Sequence, residues 1–199
     1  MKPPQYFSRL SNTLSTRGGN LPHWSQQCAT FVTFRLADSL PDNKLDAYRE
    51  EQEVWVSAHP EPWDVQTCEE YQRLFPDRFQ SWLDSGYGEC LLKNEKVREI
   101  VEVSLNHFAE KRYSLYSYVV MPNHVHVLFM PEEGFDGREI VSAWKRFTAK
   151  EINKLLNRQG SVWQKESYDR LVRDVEEFNT YRSYIRSNNE KLAFDAYLS

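Results

Sequence analysis

Hydrophobic residues recur along this chain with two spacings, one typical of strands and one typical of helices. Residues 29–36, Ala-Thr-Phe-Val-Thr-Phe-Arg-Leu, are rich in β-branched and aromatic types and predict a strand. Residues 113–121 and 124–130 predict two more strands, joined as a hairpin by a turn at Pro122. Residues 168–172 predict a short fourth strand.

Between these strands, apolar residues at helical spacing predict amphipathic helices over residues 94–111 and 138–156. The resulting order β-α-β-β-α-β is typical of an α+β, ferredoxin-like fold, in which helices cover one face of an antiparallel sheet. In the second helix we expect five apolar side chains to point inward. They are Ile140, Trp144, Phe147, Ile152 and Leu155.

Two segments lie outside this β-α-β-β-α-β pattern. Residues 1–28 carry Pro, Gly and Ser and predict a mostly irregular N-terminal arm. Residues 38–90 predict two polar helices, at 42–57 and 67–84, the second kinked or bounded at Pro76. We interpret 38–90 as a helical insertion packed beside the core of a single domain that spans residues 1–199.

A last helix is predicted over residues 174–189. Asp174 with Glu177 three residues later resembles a capping box at its start. At 100° per residue, Val175, Phe178 and Ile185 lie on one side. Tyr184 and Asn188, four residues apart, share an adjacent side, and Tyr181 lies there too.

Charge is distributed unevenly along the chain. The net charge of −4 argues against nucleic-acid binding through bulk positive charge. However, residues 38–99 hold 15 Asp/Glu and 7 Lys/Arg, whereas residues 138–173 hold 4 Asp/Glu and 9 Lys/Arg. The asymmetry predicts an acidic outer segment and a basic working surface, although two ordinary solvated faces would give the same counts.

Cellular location is constrained by what the sequence lacks. No stretch approaches the ~20 consecutive apolar residues of a membrane span, and residues 1–9 lack the apolar core of a secretory signal. Cys28, Cys68 and Cys90 match neither a disulfide framework nor a zinc spacing. We therefore expect a soluble cytoplasmic protein with reduced thiols and no membrane partner.

Candidate chemistry begins with His124 and His126 in the sequence Met-Pro-Asn-His-Val-His. Residues two apart on a strand share a face, so the two imidazoles should project together, opposite Val125 and Val127. A single histidine on a strand is usually structural. A pair on one face, directly after a turn, favours a divalent-metal site.

Several motifs together resemble a known family. They are Met121 to His126, Trp163-Gln164, Tyr168-Asp169-Arg170 and the segment Tyr184 to Asn188. The combination resembles the HUH single-strand DNA transposases with one catalytic tyrosine, in the REP-associated branch of the IS200-like superfamily. The resemblance covers the first strand and residues 93–190. Asn189 stands where the family usually has proline, and we expect it to end the helix equally well.

The resemblance implies a chemistry and a set of site residues. His124 and His126 would bind Mg²⁺ or Mn²⁺, with Asn188 completing the ligands, and Tyr184 would be the nucleophile that forms a 5′-phosphotyrosine. The last helix must then cross the sheet face that bears the imidazoles. The implied partner is single-stranded or hairpin DNA in a bacterial-type, nucleoid-associated setting, and the enzyme would work as a monomer or homodimer.

Further residues are assigned to DNA contact, with alternatives left open. The candidates for backbone contact are Lys145, Arg146, Lys150, Arg170 and Arg173. Trp24 and Trp163 can stack on unpaired bases, although packing is the favoured role for both. Tyr181 is the alternative nucleophile. A non-cleaving hairpin DNA- or RNA-binding module and a hydrolase of small phosphoesters are the competing functions.

Overall fold

The computed structural model describes residues 2–7, 14–15, 23–24 and 27–198, and the side chains of residues 2–7 and 27–193. Leu14–Ser15 and His23–Trp24 pair as a short antiparallel ladder. The side chain of Trp24, assigned above to base stacking or arm packing, lies outside the described residues.

Four strands form the central sheet. They are β1 (Thr30–Arg35), β2 (Tyr113–Val120), β3 (His124–Pro131) and β4 (Tyr168–Leu171), in the spatial order β2-β3-β1-β4. Every neighbouring pair is antiparallel. The hairpin, the central position of β1 and the short edge strand β4 confirm the predicted α+β, ferredoxin-like fold.

Among the described residues, six α-helices accompany the sheet. Three belong to the insertion after β1, one precedes β2, one follows β3 and one follows β4. They are α1 (Asp42–Ala58), α2 (Val65–Gln72), α3 (Arg78–Asp84), α4 (Glu95–His107), α5 (Gly137–Leu155) and α6 (Val175–Leu198). Within the described part of the chain, no helix is both long and apolar enough to span a membrane.

Helices α4 and α5 cover one face of the sheet and bury the main core. Val125, Val127 and Phe129 of β3 point into this core, as their alternation predicted. Trp144 of α5 is 4 % exposed, and its indole nitrogen donates to the hydroxyl of Tyr113 at 3.0 Å. Burying side chains of this kind contributes about 1.5–3 kcal/mol each.

Two of the five α5 residues expected to point inward do not. Phe147 is 48 % exposed and Leu155 is 43 % exposed. Phe147 lies roughly 90° from the middle of the buried stripe, at the margin of the interface. Leu155 is the last residue of α5, and Leu156 packs against the core in its place.

Helix α6 crosses the opposite face, so helices cover both faces of the sheet. Phe178 and Ile185 are buried there against Phe31 and Leu128. Val175, expected on the same side, is 47 % exposed because it is the first residue of the helix. Asp174 Oδ1 accepts from the Glu177 amide at 2.8 Å, which is one half of the predicted capping box.

The end of α6 differs from the expectation for residues 174–189. Asn189 does not end the helix, which continues to Leu198. The Asn189 side-chain amide donates to the carbonyl of Tyr118 at 3.0 Å, and Leu192 packs against the core beneath α6. Tertiary contacts therefore continue beyond the position where the sequence predicted a terminator.

The insertion has a small core of its own, made by Leu40, Leu45 and Leu83. A π-helical turn, Arg73–Asp77, holds Pro76 between α2 and α3. The two ends of the insertion meet at a neck formed by Asp38 and Gly88. Gly88 has a φ of +86°, and a Cβ there would lie 2.6 Å from the Asp38 carbonyl oxygen, so the close approach requires glycine.

Candidate active site

The β2-β3 hairpin places His124 and His126 on the sheet face beneath α6. The Met121 amide donates to the His124 carbonyl at 2.9 Å and closes the turn. Both histidines are 0 % exposed. Their Nε2 atoms lie 3.0 Å apart, so the two imidazoles converge on one point.

A hydrogen bond to the other ring nitrogen sets the tautomer of His124. The Asn123 side-chain amide donates to the Tyr87 carbonyl at 3.0 Å, which leaves Asn123 Oδ1 to accept from His124 Nδ1 at 2.8 Å. His126 Nδ1 lies 2.7 Å from Thr33 Oγ1. With a proton on Nδ1, His124 presents an Nε2 lone pair, the form in which imidazole binds a metal.

Burial keeps both imidazoles uncharged. It lowers the pKa of His124 to about 3. Burial also lowers the pKa of His126 well below its ordinary value, and the neighbouring His124 lowers it further. Neutral imidazoles are the metal-binding form, so the pair needs no deprotonation at neutral pH.

Helix α6 brings Tyr184 and Asn188 to the histidines of the same chain. The Tyr184 hydroxyl lies 3.3 Å from His126 Nε2. Burial, with the negative charge of Asp84, raises the Tyr184 pKa to about 12. Asn188 is 2 % exposed, and among the described side chains its Nδ2 atom has no hydrogen-bond partner.

Tyr181 makes a different set of contacts. Its ring stacks on Phe31 at 4.2 Å, and Phe31 in turn stacks on His126 at 5.3 Å. The Tyr181 hydroxyl donates to Glu177 at 3.3 Å. Burial raises the Tyr181 pKa above its ordinary value. The phenol of Tyr181 therefore supports the His126 ring through Phe31, whereas the phenol of Tyr184 contacts His126 directly.

Helix α3 of the insertion adds two residues that sequence reasoning missed. Gln80 Nε2 lies 3.2 Å from His126 Nε2 and 3.4 Å from His124 Nε2. Asp84 Oδ1 lies 3.7 Å from His124 Nε2. Burial raises the Asp84 pKa, opposed by a hydrogen bond from Gln80. Both residues are in an ordinary polar helix, and nothing in their local sequence indicates a site.

Arg35 is a buried cation on the same sheet face, opposite His124 in the β1-β3 register. Its guanidinium donates to Ser39 at 2.9 Å and lies 5.8 Å from the ring centre of Phe79. Burial lowers the Arg35 pKa. Sequence reasoning missed Arg35, because in the β1 sequence it reads as an ordinary strand residue.

The residues assigned to DNA backbone contact are divided between the two faces. Lys145, Arg146 and Lys150 are on α5, on the far side of the sheet from the histidines, and Lys145 donates to the Lys165 carbonyl at 2.8 Å. Arg170 and Arg173 pair with Glu177 of α6, at 3.3 and 3.2 Å. They lie on the histidine side, already engaged by a carboxylate.

Trp163 is a core residue. It is 6 % exposed, packs edge-on against Phe34, and donates from its indole nitrogen to Thr148 Oγ1 at 2.8 Å. Its ring faces are not accessible to an unpaired base. Trp163 therefore has the packing role that the sequence favoured.

Comparison with known proteins identifies the family. The family model described as "Transposase IS200 like" matches residues 87–188, which is half of the chain and includes His124, His126, Tyr184 and Asn188. The chain belongs to the IS200-like transposase family. The family predicted from the sequence motifs is thereby confirmed. The match begins after the insertion helices, so Gln80 and Asp84 lie outside it.

The chain is also similar to two solved structures at low identity. One, a REP-associated tyrosine transposase bound to a REP hairpin, is 14 % identical over 88 % of this chain and 74 % of its own, with a TM-score of 0.46. A protein from Deinococcus radiodurans R1, provisionally described as a transposase, is 12 % identical over 86 % and 97 %, with a TM-score of 0.34. No curated protein matches this IS200-like transposase.

The donor set of this transposase fits a divalent ion in part. Adjacent ligands of an octahedral ion with bonds of ~2.1 Å lie ~3.0 Å apart, and the two Nε2 atoms are 3.0 Å apart. Asn188 Nδ2 has no hydrogen-bond partner among the described side chains. Rotating the side-chain amide by about 180° would put Oδ1, an oxygen that can bind a metal, in its place. As the described side chains stand, no three His, Cys, Asp or Glu residues form a metal-binding group.

Proposed function

We propose that this transposase is a metal-dependent, single-stranded DNA endonuclease and strand transferase that forms a 5′-phosphotyrosine on hairpin DNA. One observation carries the proposal. The Tyr184 hydroxyl lies 3.3 Å from His126 Nε2, and Asn188 lies one turn further along the same helix. This contact supports Tyr184 as the proposed nucleophile beside the proposed ligand His126, with the third proposed ligand, Asn188, on the same helix.

The proposed reaction has two balanced steps. In the first, the Tyr184 oxygen loses its proton and attacks phosphorus, the bond from phosphorus to the 3′ oxygen breaks, and that oxygen takes up a proton. In the second, a 3′-hydroxyl attacks the phosphotyrosine and the Tyr184 phenol is restored. Because each step exchanges one phosphate ester for another, strand transfer needs no nucleotide cofactor.

His124, His126 and Asn188 are the proposed metal ligands. A bound Mg²⁺ or Mn²⁺ would supply positive charge that offsets the charge developing on the phosphate. Imidazole nitrogens suit Mn²⁺ better than Mg²⁺, which favours oxygen donors. The Tyr184 pKa of about 12 means that its phenol is protonated at neutral pH, so nucleophilic attack depends on a positive charge or a proton acceptor nearby.

The basic residues that are exposed and those that pair with Glu177 have different proposed roles in DNA binding. Arg146 and Lys150 are exposed on α5 and are proposed to hold DNA phosphates. Arg170 and Arg173 share Glu177 and can exchange it for a phosphate only at the cost of those ion pairs. Because the solved similar transposase is bound to a REP hairpin, short hairpins are the first substrates to test.

Covalent capture on hairpin oligonucleotides tests the proposal. The oligonucleotides are taken from DNA that flanks the coding region and are labelled at the 3′ end. With Mn²⁺, the full chain should produce a labelled protein band on a denaturing gel, and EDTA should abolish it. Tyr184→Phe removes the attacking oxygen and should lower capture at least ~10³-fold, whereas Tyr181→Phe, the matched control, should stay within about tenfold of the parent.

Other outcomes would favour the alternatives. Capture that survives in Tyr184→Phe and disappears in Tyr181→Phe makes Tyr181 the nucleophile. Hairpin binding without any covalent band in Mn²⁺ identifies a non-cleaving binding module. Turnover of a small phosphoester with no protein adduct in either variant identifies a hydrolase.

A further inference from the structure

The Gln80 side-chain nitrogen lies among three polar atoms of the site. They are Asp84 Oδ1 at 3.1 Å, His126 Nε2 at 3.2 Å and His124 Nε2 at 3.4 Å. An amide nitrogen carries two hydrogens, so it cannot satisfy all three. A cation with several open positions suits this arrangement better than an amide does.

Helix α3 presents the two residues together. Gln80 and Asp84 are four residues apart, so their side chains lie on the same side of the helix. The carboxylate of Asp84 is only partly buried, with 38 % of its side chain exposed. Leu83, on the same helix, is buried with Leu40 and Leu45 in the small core of the insertion, so α3 is held by contacts other than those with the histidines.

We propose that α3 completes the metal site: a divalent ion displaces the Gln80 amide nitrogen, and Asp84 becomes a ligand beside His124 and His126. The inference rests on the metal dependence proposed above. Carboxylate oxygen is a preferred ligand of Mg²⁺ and Mn²⁺, and its negative charge adds the electrostatic attraction that two neutral imidazoles lack.

The same helix limits access to the site. Both imidazoles are 0 % exposed, so a DNA phosphate cannot reach their Nε2 atoms while Gln80 is in place. Phe79, the residue before Gln80, also lies against the Arg35 guanidinium. Displacement of the Gln80 side chain therefore opens the histidines, which couples ion binding to phosphate access, and only a movement of the whole of α3 would also take Phe79 away from Arg35.

Mn²⁺ binding to the full chain, measured by isothermal titration calorimetry without DNA, tests the role of Asp84. Asp84→Asn keeps the shape and removes the charge, and we expect Mn²⁺ affinity to fall at least ~10-fold. Asp46→Asn is the matched control, because Asp46 is an exposed residue of α1 in the same insertion. Unchanged affinity in Asp84→Asn would exclude Asp84 as a ligand.

Gln80→Ala tests the displacement. If the Gln80 nitrogen competes with the ion, its removal should leave Mn²⁺ affinity equal or raise it by a few-fold. Weaker binding would mean that Gln80 itself is a ligand and would overturn this half of the inference. Gln66→Ala, at an exposed position of α2, controls for the loss of a glutamine.

Two measurements separate this inference from the proposed function. If His124→Ala abolishes Mn²⁺ binding while Asp84→Asn leaves it intact, the histidine site stands and the role of α3 is wrong. If His124→Ala changes nothing, the metal site itself is wrong. In the unsubstituted chain, Mn²⁺ should change hydrogen exchange in residues 78–84 more than in residues 42–58, and equal or absent changes in the two would contradict displacement of α3.

Discussion

His124 and His126 are buried as neutral groups, and this has a consequence for stability at acidic pH. The pKa of His124 in the folded chain is about 3, against ~6.5 for an exposed histidine. Between these values the unfolded chain binds protons that the folded chain does not. The stability supplied by the neutral form is therefore complete above pH ~6.5 and declines as the pH falls towards 3.

Urea unfolding in EDTA should reveal this dependence. Each histidine adds a slope of up to about 1.4 kcal/mol per pH unit to the free energy of unfolding below pH ~6.5. His124→Gln should lower stability at pH 7 yet make the slope between pH 5 and 6.5 shallower. His107→Gln, on the exposed end of α4, is the control and should keep the parent slope. An equal slope in His124→Gln would contradict burial of a neutral imidazole.

The residues of the site differ in how far the sequence could predict them. The two-residue period of a strand was sufficient to place His124 and His126 on one face, and the four-residue period of a helix paired Tyr184 with Asn188. Gln80, Asp84 and Arg35 were missed because their roles depend on how the insertion packs against the sheet. Periodicity describes one element at a time and contains no information about such packing.

Helix α5 gives the clearest prediction at the scale of an element. Arg146 and Lys150 are exposed there, and Phe147, expected in the core, is exposed between them. If both cations bind phosphates, the double variant Arg146→Ala with Lys150→Ala should bind hairpin DNA more weakly. The slope of log association constant against log salt concentration should become shallower by about 1.4 if the two contacts are to unpaired nucleotides.

Filter binding or fluorescence anisotropy between 50 and 300 mM salt provides the measurement. The control is a variant that removes two exposed cations elsewhere, Arg49→Ala with Lys96→Ala. Equal loss in both variants would mean that only net charge matters, and α5 would then have no specific contact with DNA.

The apolar periodicity predicted the helices more accurately than it predicted their ends. The buried stripes of α4 and α5 follow the pattern, because burial against a sheet requires it. The prediction that Leu155 points inward was wrong, since a residue at the end of a helix can extend past the sheet. The continuation of α6 beyond Asn189 was missed because the Asn189 side chain binds the Tyr118 carbonyl, a contact between distant parts of the chain.

At the scale of the whole molecule, we expect cooperative folding to require β1, although β1 lies outside the family match. It is hydrogen-bonded to β3 on one side and β4 on the other. A fragment of residues 87–199 would leave one edge of β3 unpaired and β4 without a partner. We therefore expect the fragment to lack a cooperative unfolding transition by circular dichroism.

A second variant controls for the loss of residues. Replacing residues 41–86 with a short Gly-Ser linker removes α1, α2 and α3 but keeps β1 in the sheet. This variant should retain a cooperative transition, because the main core contains none of the three helices. Cooperative unfolding of the 87–199 fragment would show instead that β1 is dispensable.

Because Asp38 and Gly88 lie side by side, the segment between them could be replaced by another domain. The Glu89 amide donates to the Asp38 carboxylate at 2.7 Å, so the chain leaves β1 and returns towards α4 at nearly the same point. A foreign domain with neighbouring termini can be spliced between these residues without stretching a strand. Because α3 of the insertion covers His124 and His126, a ligand-responsive domain inserted at the neck would make access to these two histidines depend on a chosen small molecule.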